Sequence, residues 1–98
     1  MNNITVEDLN SLIPNINIID IRDNYQFNLG HIPSAINIPM NFLMKNPENY
    51  LNNNEKYYIC CEYGNRSKRT CDFLIKKGYN CINIQGGYNE YKLLIHKQ

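Results

Sequence analysis

At 98 residues the chain has the length of one domain with a single core, and too little for two. Charged residues make up 19% and the formal net charge is +1, so bulk charge advertises neither a nucleic-acid partner nor a field for acidic substrates. No apolar run approaches the roughly 20 residues that span a bilayer, and the first 15 residues carry Glu7 and Asp8 but no basic residue, unlike a signal peptide; a cytoplasmic, membrane-free chain is expected.

Thr5 stands where an N-cap belongs, with Asp8 at the capping-box position, and Val6, Leu9, Leu12 and Ile13 recur at helical spacing until Pro14 stops the helix. Asn17 to Arg22 is a short β-branched run that suits a buried strand of a parallel sheet. Asp20 is the anomaly in it. A carboxylate there is costly unless paired, and Arg22, on the same strand face by period two, is one available partner. Asp23 to Leu29 predicts a turn or two of helix, capped by Asp23 and broken by Gly30. Ile36 to Pro39 alternates apolar and polar residues and reads as a second strand. Residues 40–55 are expected to hold one or two short helices and a polar turn at Asn52–Asn54.

Tyr57 to Cys60 predicts a third strand. It delivers the loop Cys61-Glu62-Tyr63-Gly64-Asn65-Arg66-Ser67, which opens into an amphipathic helix with Thr70, Cys71, Leu74 and Ile75 on one face and Gly78 at its C-cap. Cys81 to Ile84 is a fourth strand, Gly86-Gly87 a turn, and Tyr88 to Ile95 a terminal helix. Strands alternating with helices imply an α/β fold with a mainly parallel sheet of four to five strands and helices on both faces. Such sheets place ligands beyond the carboxyl ends of their strands, which is where Cys61 falls.

The four cysteines, at 60, 61, 71 and 81, make a poor disulfide framework, because the adjacent pair allows only a strained vicinal bridge. Zinc is disfavoured too, with no Cys-x-x-Cys pair and with His31 and His96 far apart. Cys61 is different in kind. A cysteine at a strand end, followed by a glycine-containing turn that opens a helix, sits where backbone N–H groups and a positive helix end converge, and that holds a thiolate.

Asp20-Ile21-Arg22, then Gly30-His31-Ile32-Pro33-Ser34-Ala35 with Asn37-Ile38-Pro39, then Cys61-x-x-Gly64-x-Arg66-Ser67, then Gly78-Tyr79 and Gly86-Gly87-Tyr88 occur in an order and spacing that resembles the rhodanese (sulfurtransferase) family over nearly the whole chain. The resemblance implies a single rhodanese-like domain over 1–98. It also implies a Cys61 that takes a sulfane sulfur from thiosulfate or a thiol persulfide, becomes a persulfide, and passes the sulfur to a thiol or cyanide. Glu62, Tyr63, Gly64, Asn65, Arg66 and Ser67 would then form the persulfide-binding loop, with Asp20, Arg22 and His31 as structural support. No metal, nucleotide or organic cofactor is implied. Small-molecule donors and acceptors, or a protein persulfide, are the partners implied.

Three departures from the family's pattern stand out. Gln26 occupies a place where a Glu is common, so a buried Arg22 would pair with Asp20 or another carboxylate. Ser34 replaces a small glycine. Glu62 sets a carboxylate beside the sulfur, which by repulsion predicts that thiosulfate is a poorer donor than a thiol persulfide. Two other readings stay open. Counting from Cys60 rather than Cys61 gives the five-residue gap to Arg66 of a Cys-x5-Arg phosphatase or arsenate reductase, with Cys60 as nucleophile. A non-catalytic rhodanese-like binding module is the other, against which stand Cys61, Gly64 and Arg66 together.

Overall fold

The computed structural model describes residues 2–97. Among them the strands are β1 (Asn3–Ile4), β2 (Asn17–Asp20), β3 (Ile36–Asn37), β4 (Lys56–Cys60) and β5 (Asn80–Ile84). They lie in the order β1-β5-β4-β2-β3, and every pairing is parallel. Parallel neighbours need a crossover between them, and the helices supply it. These are α1 (Val6–Asn10), α2 (Asn24–Leu29), α3 (Met40–Lys45), α4 (Asn65–Lys76) and α5 (Gly87–His96), with a 3₁₀ turn at Pro47–Asn49.

The local signals act as their chemistry requires. The Thr5 hydroxyl accepts the Asp8 amide at 3.2 Å and the Asp23 carboxylate accepts that of Gln26 at 2.8 Å, so both short helices start on a side-chain cap. α1 ends at Asn10, earlier than Pro14 would enforce, and Leu12 is left exposed rather than in the core. The predicted Asn17–Arg22 strand is regular to Asp20, and its pairing runs one residue further because the Ile21 amide donates to the Cys60 carbonyl at 2.9 Å. β1 is the fifth strand; two residues are too few for a periodic signal.

Period two splits the core across the sheet. Ile19, Ile21, Ile59, Cys61 and Cys81 face Leu43 of α3 and Cys71 and Leu74 of α4. Ile18, Tyr58, Cys60 and Ile84 face Val6 and Leu9 of α1 and Tyr91 of α5. Each fully buried Leu or Ile here, such as Leu43, Ile59 and Leu74, contributes roughly 1.5–3 kcal/mol. The split has a consequence for chemistry: Cys60 and Cys61 are neighbours in sequence but lie on opposite faces. Register sets Asp20 of β2 beside Cys60 of β4, so the segments carrying Arg22 and Cys61 leave the sheet side by side at its carboxyl end.

Candidate active site

Beyond β4 the chain turns through residues 61–64 and enters α4 at Gly64, which stands at the N-cap with φ 94°. In that turn the Gly64 amide donates to Cys61 Sγ at 3.1 Å and the Ser67 amide at 3.3 Å, while the Ser67 hydroxyl lies 3.2 Å from the sulfur. The loop carbonyls face the other way. Cys61 O accepts from the Tyr88 amide and Glu62 O from that of Asn89, each at 2.9 Å, so the first turn of α5 ties down the Cys61–Glu62 backbone. Of the amides of residues 62–66, expected to face the sulfur, that of Gly64 hydrogen-bonds it and those of Glu62, Tyr63, Asn65 and Arg66 do not; the second donor, Ser67 N, lies one residue further on. Gly87 explains why the turn must be glycine there, since a Cβ would stand 2.4 Å from Cys61 O and 2.7 Å from the Glu62 carbonyl.

Asp20 and Arg22 pair, as period two predicts. Arg22 Nε reaches Asp20 Oδ1 at 3.0 Å and Oδ2 at 3.1 Å, one terminal nitrogen reaches Oδ2 at 2.8 Å, and the Arg22 amide closes on Oδ1 at 3.0 Å. The same terminal nitrogen donates to Gly30 O at 2.8 Å, the other to Glu62 Oε1 at 3.0 Å, and the guanidinium lies 4.5 Å from the Tyr88 ring centre. Burial works against the charge, but Asp20 and Glu62 more than offset it and the guanidinium is held protonated. Glu62 therefore is not a bare carboxylate beside the sulfur. It supplies the second acid that Gln26 does not, and because Arg22 serves Asp20 as well, the three side chains together keep one net negative charge next to the loop.

His31 does structural work away from the sulfur. Its Nδ1 hydrogen-bonds Phe27 O at 2.8 Å, and its ring stacks on Phe27 at 3.7 Å, closing the end of α2. Arg66 is exposed beside a cleft of ≈ 400 Å³ with Met40 and Phe42, and makes no ion pair among the described residues. A second cleft of ≈ 430 Å³ on the other side of the loop is lined by Arg22, Glu62, Tyr63, Tyr88 and Lys92. Cys61 lines neither and is 2% exposed. The remaining thiols are core. Burial pushes Cys60 well up, with Asp20 adding to it; burial and Cys81 push Cys71 up, and burial alone takes Cys81 to about 11.

One site residue escaped the sequence reading. Asn83 of β5 is buried, its Oδ1 taking the Ser67 hydroxyl and its Nδ2 donating to Asn3 Oδ1 at 3.2 Å. The signal was an Asn between Ile82 and Ile84, on the strand face shared with Cys81.

Comparison with known proteins places these features in a group. The Rhodanese-like domain model matches residues 5–94. YtwF of Bacillus subtilis is 31% identical over 70 residues, covering 71% of this chain and 67% of that protein. The adenylyltransferase and sulfurtransferase uba4 of Ogataea parapolymorpha is 31% identical over 75 residues, 76% of this chain, which spans only 19% of that larger protein. Among solved structures, SSP1007 from Staphylococcus saprophyticus is 39% identical with a TM-score of 0.85, covering 93% of each chain. A rhodanese-like domain protein from Staphylococcus aureus is 32% identical with a TM-score of 0.85, covering 93% of this chain and 91% of that one.

Proposed function

The chain belongs to the rhodanese-like domain family, and on that premise we propose that it is a single sulfurtransferase domain whose carrier is Cys61. The observation that carries the reading is the convergence of the Gly64 and Ser67 amides on Cys61 Sγ at the start of α4. Both are fixed dipoles that favour negative charge on sulfur without a metal. The loop is tied to the first turn of α5 through the Cys61 and Glu62 carbonyls.

In the first half-reaction Cys61 attacks, as a thiolate, the outer sulfur of thiosulfate or of a thiol persulfide. A Cys61 S–S bond forms, the donor's S–S bond breaks, and sulfite or a thiolate leaves with the electron pair. In the second, an acceptor thiolate or cyanide attacks the outer sulfur, and the Cys61 thiolate is the leaving group. Arg66, exposed and without an ion pair among the described residues, is the cation placed to meet an anionic donor at the loop. No helix among the described residues is long and apolar enough to cross a membrane.

The Cys-x5-Arg count finds no matching geometry. Cys60 is fully buried on the face opposite the loop, beside Asp20, and among the described residues its thiol hydrogen-bonds only Cys61 O, at 3.4 Å. Intact mass after incubation with a sulfane donor tests the assignment. One added sulfur, lost on reduction, is expected in the parent protein and in Cys60→Ser, and none in Cys61→Ser. Retention of the added sulfur in Cys61→Ser would overturn it.

A further inference from the structure

Ser67 has one hydroxyl hydrogen and two claimants for it. Cys61 Sγ lies 3.2 Å from Oγ, and Asn83 Oδ1 lies on the other side. Asn83 commits its Nδ2 to Asn3 Oδ1, which fixes Oδ1, an acceptor only, toward Ser67. The hydrogen therefore goes to Asn83. Ser67 Oγ then shows the sulfur a lone pair, an arrangement that accepts from a Cys61 S–H and repels a sulfur anion. The buried Asn gains nothing for strand formation, where a Val would suit the site between Ile82 and Ile84 better.

We propose that Asn83 is a positioning residue that sets the direction of the Ser67 hydroxyl, and through it how readily Cys61 loses its proton. In the resting chain hydrogen bonds run from Cys61 to Ser67 to Asn83. When the proton leaves, the hydroxyl turns to donate to the sulfur, and Asn83 either gives up that bond or rotates its amide to offer Nδ2 to Oγ. Among the described residues no protein base is in hydrogen-bond contact with Cys61, so this reversal is the adjustment the site makes to the anion. The other titratable groups near Cys61 are Tyr57 on β4, Cys71 on α4, Tyr79 just before β5, Cys81 on β5, Cys60 on the opposite face, and Glu62 and Arg66 in the loop. None of them hydrogen-bonds Sγ among the described residues.

The proposal rests on Cys61 being the sulfur carrier, but its test needs no sulfur donor. The rate of Cys61 alkylation by iodoacetamide, followed by mass against pH, reads the ionisation directly. Asn83→Val removes the competing acceptor and frees the hydroxyl for the sulfur, so the midpoint is expected to fall by about half a pH unit or more, about three-fold in acid constant. Asn83→Asp keeps an acceptor and adds charge, so its midpoint is expected to rise. In a Ser67→Ala background Asn83→Val should leave the midpoint where Ser67→Ala alone puts it. An unchanged midpoint in both Asn83 variants, or an equal shift with and without the Ser67 hydroxyl, overturns the proposal. Should Asn83→Val not fold, the rise in Asn83→Asp and its dependence on Ser67 decide alone. Failure of Cys61 to take up sulfur, with these shifts intact, would count against the sulfurtransferase reading and not against the role of Asn83.

Discussion

Arg22 meets three separate parts of the chain with one guanidinium: its own strand end at Asp20, the Gly30 turn, and Glu62 in the loop after β4. The two acids are not equivalent. Asp20 is fully buried and makes four hydrogen bonds with Arg22, so Asp20→Ala leaves a buried cation short of its main partner and is expected to cost about 3–5 kcal/mol. Glu62 is 26% exposed and holds one nitrogen, so Glu62→Gln is expected to cost about 1 kcal/mol or less. Urea unfolding of both variants checks this ranking, and equal losses would show that the loop contact anchors Arg22 as firmly as the strand-end pair does. The Asp20–Arg22 pair was legible because period two is local. The Glu62 contact spans 40 positions, and only the folded register brings it within reach.

At the scale of elements, the turns rather than the helices carry the specificity. Gly87 opens α5 with φ 62° against the Cys61 and Glu62 backbone, and backbone atoms at 2.4–2.7 Å cannot yield as a side chain would. Gly87→Ala is expected to cost at least about 2 kcal/mol and to slow uptake of sulfur by Cys61, because relief of the clash must move the loop that holds the thiol. Measured unfolding with persulfide formation rates separates the two effects; normal rates in a destabilised variant would mean the loop holds its place without α5. Ser34 poses the opposite case. In the turn closed by Ala35 N to Ile32 O at 3.1 Å, Pro33 precedes Ser34, and Ser34 adopts φ 73°, the conformation a type II turn asks of its third residue. Glycine adopts it without strain, which gives the family's preference a physical cause. Ser34→Gly is expected to stabilise by about 0.5–1 kcal/mol, raising Tm by several degrees, and an unchanged or lower Tm would deny the strain. Neither turn's closeness to its neighbours is visible in sequence, although both motifs are. The helices and four of five strands were readable from periodicity and caps, whereas β1, two residues long, becomes a strand only because β5 lies beside it.

The molecule as a whole divides its thiols between one loop and two cores, and that division should be visible in its response to alkali. Cys60, Cys71 and Cys81 are all buried, and burial leads the causes that raise each of them. In an unfolded chain such thiols lose their protons near pH 8.5–9, while the folded protein keeps them to higher pH. Between those values the unfolded chain has released protons that the folded one still holds, so each rise in pH favours unfolding. The stabilisation is complete below about pH 8 and is lost upward, through about pH 11 for Cys81. Taking an unfolded value near 9, Cys81 alone removes about 1 kcal/mol by pH 10, and Cys60 and Cys71 add to it. Tyr91, raised by burial, acts in the same direction above the ordinary tyrosine value near 10. Under reducing conditions the urea midpoint is therefore expected to hold steady from pH 7 to 8 and to decline between pH 9 and 11. Cys81→Ser, though less stable at pH 7, should decline less steeply by about that 1 kcal/mol at pH 10, because a serine hydroxyl does not titrate there. A decline of unchanged steepness in Cys81→Ser would show that Cys81 does not contribute to it.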